Sequence, residues 1–128
     1  MRRPPRKRAL AVGLSLTAVA AAACGAPPPQ APLAYARKLD RATSGISTAC
    51  GYAYRATAFP GDHAAALNKL EDAALGAAHK LETVFRKDRG WVYQGYTVAE
   101  IASDGVSMLD SCGLHRAAQQ LKQATTSS

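Results

Sequence analysis

Leu67, Leu70, Ala74, Ala77, Leu81 and Val84 recur at alternating steps of three and four, the period at which side chains line one face of an α-helix. Such a seam needs partner helices, and two other stretches carry the same period. Leu39, Ala42, Ile46, Ala49 and Ala53 predict a first helix over 34–58, in which Gly45 and Gly51 each cost about 1 kcal/mol relative to alanine. Pro60 and Gly61 break the chain before the second helix, 62–89, where Asp62 is placed to accept the free amides. Arg86, Lys87 and Arg89 precede Gly90 at its end, where cations suit the helix dipole. The third helix opens on Thr97-Val98-Ala99-Glu100, a capping box flanked by Tyr96 and Ile101 as a hydrophobic staple. Val98, Ile101, Gly105, Met108 and Cys112 continue its buried stripe, Gly113 ends or kinks it, and LHRAAQQLKQA has the pattern of a further short helix to Ala124. The expected fold is therefore all-α: a small up-down-up three-helix bundle over 34–124 with a short fourth C-terminal helix, followed by a frayed tail at 125–128.

Up-down-up packing with short loops sets the first and third helices side by side and parallel. Cys50 and Cys112 then lie at matched heights, roughly 23 Å along their helices at 1.5 Å of rise per residue. A disulfide between them is expected, with two unpaired buried thiols as the alternative. Closing so long a loop contributes about 4 kcal/mol in the chain-entropy treatment, a large share for a domain whose seam is mostly alanine.

The third cysteine follows a different logic. Residues 2–8 hold Arg2, Arg3, Arg6, Lys7 and Arg8 with no acid, and residues 9–23, ALAVGLSLTAVAAAA, carry no charge. A basic stretch followed by an apolar one reads as an export signal, and the apolar run is shorter than the roughly 20 residues of a membrane-spanning helix. Pro4 and Pro5 after Arg2 and Arg3 favour general secretion over the twin-arginine route. Ala21, Ala22 and Ala23 before Cys24, with Gly25 after it, resemble the lipobox of bacterial lipoproteins, with alanine at Ala21 where leucine is usual. The resemblance covers residues 1–25. It implies a signal peptide over 1–23, a diacylglyceryl group with palmitate-type chains on Cys24, and anchorage on the outer face of the bacterial cytoplasmic membrane. The alternative is ordinary cleavage after alanine and release as a secreted protein. Residues 24–33 comprise the lipidated cysteine and a proline-rich spacer, GAPPPQAPL, which in extended form reaches roughly 28 Å and would lift the domain above the headgroups.

The formal charge of +7 suggests a polyanion partner until the five signal cations are set aside. Residues 24–128 then carry 11 basic and 9 acidic side chains, which removes the electrostatic case for nucleic acid. Nucleophile-elbow, phosphate-loop and His-Glu-x-x-His motifs are absent from the sequence. His63 and His79 fall about 160° apart around one helix and cannot share a metal; His79 and His115 read as solvent-exposed. Glu71 with Asp72, and Asp104 with Asp110, point in divergent directions and read as charged helix faces. No catalytic residue, metal site or cofactor is expected, and the chain reads as a non-enzyme.

Three aromatics crowd into WVYQGY, Trp91, Tyr93 and Tyr96, directly after Arg86, Lys87 and Arg89. This loop falls at the tether end of the bundle, as an interfacial loop resting on anionic headgroups or as a plug in which Trp91 and Tyr96 close the bundle. Tyr52, Tyr54 and Phe59 fall at the opposite end; Tyr52 and Tyr54 face different ways on a helix, which predicts that at least one is packed. The expected function is contact, through the domain surface of a lipid-anchored protein, with an envelope protein or glycan. The alternatives are a sensory lipoprotein holding a small apolar molecule and an inhibitor lipoprotein of the phage or immunity type.

Overall fold

A computed structural model describes residues 27–126; the signal-like segment, Cys24 and residues 127–128 lie outside the described residues. The chain is mostly helical, with α1 (Leu33–Ala56), α2 (Ala64–Asp88), α3 (Val98–Ser111) and α4 (His115–Thr126) packed as a bundle. A two-stranded antiparallel hairpin, β1 (Val92–Tyr93) and β2 (Tyr96–Thr97), joins α2 to α3. The hairpin departs from the all-helical expectation. Gln94 and Gly95 both adopt positive φ, 51° and 86°, the conformation that lets a two-residue turn match the twist of its strands. Aromatic and β-branched neighbours in WVYQGY supply the strand-forming residues.

The core is built where the periodicity placed it in α1: Leu39, Ala42, Ile46, Ala49 and Ala53 are all buried. In α2 the seam is buried from Ala74 onward, while Leu67 and Leu70 pack at its edge. The stripe of α3 is shifted from the expected one. Val98, Ala102, Gly105, Leu109 and Cys112 face inward, whereas Ile101 is half-buried and Met108 is 45% exposed. Both stripes share Val98, Gly105 and Cys112, and the packing of Leu109 selects the face. The fourth helix is a full member of the core, contributing Ala117, Ala118 and Leu121, with Leu114 buried just before it. It also runs into the stretch expected to fray: the Thr125 and Thr126 hydroxyls donate to the Leu121 and Lys122 carbonyls at 2.9 and 2.8 Å.

Helix ends follow their signals with small offsets. The Thr97–Glu100 capping box forms reciprocally. Asp62 does accept an amide, that of Ala64 at 3.0 Å, but α2 starts there, two residues later than expected. Gly113 ends α3 at φ 89°. Both Tyr52 and Tyr54 are exposed, at 52% and 57%, because Ala53 between them takes the inward position; the expectation that one is packed fails.

Cys50 and Cys112 form a disulfide with a Cα–Cα distance of 5.4 Å, within the span a bridge accepts without moving backbone. The two helix glycines of α1 have different roles. A Cβ on Gly45 would come within 2.9 Å of Ala77 Cβ, whereas nothing lies within 4 Å of one on Gly51. Gly45 thus lets α1 and α2 approach closely, and alanine there forces backbone apart. Gly45→Ala is expected to destabilise by about 1–3 kcal/mol and Gly51→Ala to stabilise by about 0.5–1 kcal/mol, read from paired chemical denaturation curves. Equal effects of one sign would remove the close-approach role of Gly45.

Candidate functional site

Between α1, α3 and the hairpin lies a cleft of about 210 Å³. Its floor is Ile46, Leu81 and Gly105; Thr43 stands on the α1 side and Ile101, Asp104 and Met108 on the α3 side. Tyr93, Gln94 and Tyr96 of the hairpin close one end. Gly105 lets α3 lie close over the floor: a Cβ there would sit 3.2 to 3.5 Å from Leu121, Leu81 and Ile46 methyls. Tyr96, 57% exposed, and Met108 stand at the rim, so a polarizable thioether and an amphipathic ring flank an aliphatic floor.

The hairpin is tied into the fold on two sides. Tyr93 OH donates to Asp40 Oδ1 of α1 at 3.2 Å. Burial, then that hydrogen bond, then the negative charge of Asp40 hold the phenol above its ordinary range. The protonated hydroxyl is the bonded form, so this tie is complete below the ordinary phenol range and is lost as pH rises through the raised value. On the α3 side, the backbone and side-chain hydrogen bonds from Thr97 lower the Glu100 carboxyl from its ordinary range. The box therefore holds above the ordinary glutamate range and is lost as pH falls through the lowered value.

The proline-rich spacer is also joined to the hairpin. Ala31 N donates to Val92 O at 2.9 Å and Val92 N to Pro29 O at 3.0 Å, with Gln30 paired in parallel to Val92. Leu33, assigned to the spacer by the sequence, begins α1. The spacer residues from Pro29 onward are thus bonded to the hairpin.

Of the proposed interfacial loop, Trp91 and Tyr93 are half-buried and Tyr96 is exposed. Trp91 packs on Tyr35 with ring centroids 5.0 Å apart. Arg86, Lys87 and Arg89 are exposed; Arg86 pairs with Glu82 at 3.6 Å and Arg89 lies over the Phe85 ring at 5.7 Å. Cys50 and Cys112 are brought together, and Cys24 lies outside the described residues.

Two acidic residues, Glu71 and Glu82, are buried and not solvated on helix faces. Glu71 is buried and accepts the amides of Arg116 and Ala117, at 3.0 and 2.9 Å. Glu82, with a side chain only 1% exposed, meets His79 and Arg86 through Oε2 at 3.8 and 3.6 Å. Its Oε1 has no hydrogen-bond partner among the described residues. Asp110 Oδ1 lies 2.6 Å from His115 Nδ1, both side chains largely exposed; no hydroxyl or thiol hydrogen-bonds to that imidazole among the described residues, so the pair lacks the nucleophile of a hydrolytic triad. Only the Glu71 contacts reach across the fold, 45 and 46 residues along the chain, which helical spacing does not encode; Glu82 meets residues three and four positions away on α2.

Among the described residues no group of three His, Cys, Asp or Glu side chains is placed to hold a metal ion, and no helix is long and apolar enough to cross a membrane. No family model matches the chain, and neither a curated protein nor a solved structure matches it.

Proposed function

We propose that this chain is a lipid-anchored, non-enzymatic contact module of the bacterial cell envelope, held through Cys24 on the outer face of the cytoplasmic membrane. Its contact face is the cleft between α1, α3 and the hairpin. The observation that carries this is an aliphatic floor left open between exposed Tyr96 and Met108. At about 210 Å³ the cleft is smaller than the roughly 300–1,000 Å³ of small-molecule sites. That size favours one inserted side chain of a larger partner, and the apolar lining favours a protein over a glycan.

The topology belongs to the same proposal: α1 up, α2 down, α3 up and α4 down. Supporting it, Tyr35 meets Trp91 while Gly45 meets Ala77, Cys50 meets Cys112, and Glu71 meets Ala117. A cleft near the tethered end can meet a partner lying along the membrane surface.

A photo-crosslinking residue at Met108 in intact cells is expected to give an adduct of discrete mass, with none from exposed Gln119 on α4. No adduct at Met108, or equal adducts at both positions, rejects the cleft as contact face. The second reading, a small apolar ligand, rests on the same floor and predicts an adduct mass of a few hundred daltons instead of a protein. Detergent-phase partition of the wild type, lost in Cys24→Ser, checks the anchor; an aqueous wild type rejects it.

A further inference from the structure

We infer that the hairpin end of the bundle lies on the anionic headgroups of the membrane through cations of α1, so that the short tether and a basic rim together fix the domain's orientation. The inference rests on the proposed Cys24 anchor for its geometry, and its test is independent of the lipid. Two observations carry it. First, Pro29 and Ala31 are bonded to Val92, and only four residues of sequence separate Pro29 from Cys24. Four residues span at most about 14 Å, too little to lift the hairpin end far from the surface.

Second, the start of α1 carries more cations than acids. Tyr35 on Trp91 and the Ala99 amide on the Arg89 carbonyl gather the start of α1, the end of α2 and the start of α3 into one end. Arg37, Arg41 and Lys87 there are exposed and enter no ion pair among the described residues. Asp40, Asp88 and Glu100 accept from neutral groups, Tyr93, the Gly90 amide and Thr97, and keep their charge, but at the start of α1 the three cations Arg37, Lys38 and Arg41 stand against the single acid Asp40. Arg37 and Arg41, one turn apart, repel each other slightly within the isolated helix, a placement that an anionic surface converts to attraction. Leu33 precedes Arg37 by one turn and is 67% exposed, an apolar contact at headgroup depth beside the cations. The start of α1 is therefore basic with an apolar neighbour, which matches anionic lipid. Trp91 and Tyr93, being half-buried, are secondary.

The chain from residue 24 onward with Cys24→Ser, which carries no lipid, is mixed with neutral phosphatidylcholine vesicles or with vesicles containing phosphatidylglycerol. Expected is cosedimentation with the anionic vesicles only, abolished by about 0.5 M salt as screening shortens to a few ångström. Arg37→Gln/Arg41→Gln is expected to weaken that binding roughly 25-fold, at about fivefold per cation. Arg55→Gln/Lys69→Gln, which removes the same charge from the far end where both residues line a groove, should leave it within about twofold. Equal losses from both pairs would mean net charge alone, and equal binding to neutral vesicles would mean apolar adsorption; either overturns the inference, as does no binding at low salt. The anchor is then judged separately by detergent partition of the wild type.

Discussion

Reduction of the Cys50–Cys112 disulfide is expected to lower the melting temperature by about 15–30 °C. The bridge joins residues 62 positions apart, and removing the constraint it places on the unfolded chain corresponds to about 4 kcal/mol. In a domain of this size each kcal/mol shifts the midpoint by about 4–8 °C. The core gives little reserve against that loss: eleven of its twenty buried apolar positions are alanine or cysteine, so each contributes a small apolar area. Thermal unfolding followed by circular dichroism, with and without reductant, reads the effect, and Cys50→Ala/Cys112→Ala should reproduce it without reductant. A shift below about 5 °C in both would show that alanine packing alone holds the bundle. The bridge joins Cys50 of α1 to Cys112 at the end of α3, one turn beyond Met108 of the cleft. Reduction should therefore loosen the contact face before the chain unfolds.

What could be read from the sequence was whatever repeats along one helix. The inward positions of α1 and most of α2 follow from a period that every turn reinforces, and the Thr97–Glu100 box and the Gly113 stop are local codes read within a few residues. The disulfide was legible because two cysteines at matched heights leave one economical pairing. The cleft was not. Ile101 and Met108 fit the helical period as well as Ala102 and Leu109 do, and only the packing of Leu109 in the core decides which stripe turns inward. Once Leu109 is taken into the core, Met108 is displaced to the rim and the site appears. The same holds for the spacer, whose prolines describe an extended chain correctly but cannot say that its last residues pair with Val92.

Glu71→Ala is expected to cost about 3–5 kcal/mol, the largest effect of any single side chain outside the disulfide. The residue before α4 is Leu114, fully buried and without an oxygen to offer, so the position that normally caps the second and third amides of a helix is given to the core. Those amides belong to Arg116 and Ala117, and they donate instead to Glu71 Oε1 and Oε2 at 3.0 and 2.9 Å, from α2. Hydrogen bonds to a charged acceptor contribute about 1.5–3 kcal/mol each, and the carboxylate also faces the positive end of the helix dipole. Glu71→Gln keeps one acceptor but turns an NH2 toward the other amide, so about 2–3 kcal/mol is expected from the unsatisfied group. Asp72→Ala removes only the exposed pair with Arg116 at 3.4 Å and should cost at most about 1 kcal/mol. Denaturant midpoints should therefore fall in the order Asp72→Ala, Glu71→Gln, Glu71→Ala, with the Arg116 and Ala117 amides exchanging fastest in the last. If Glu71→Ala is no worse than Asp72→Ala, the cap across helices has no energetic weight. The consequence reaches the cleft, because α4 carries Leu121 beneath Gly105: a helix α4 released at its first turn withdraws the support under the floor, and binding at Met108 should weaken with it.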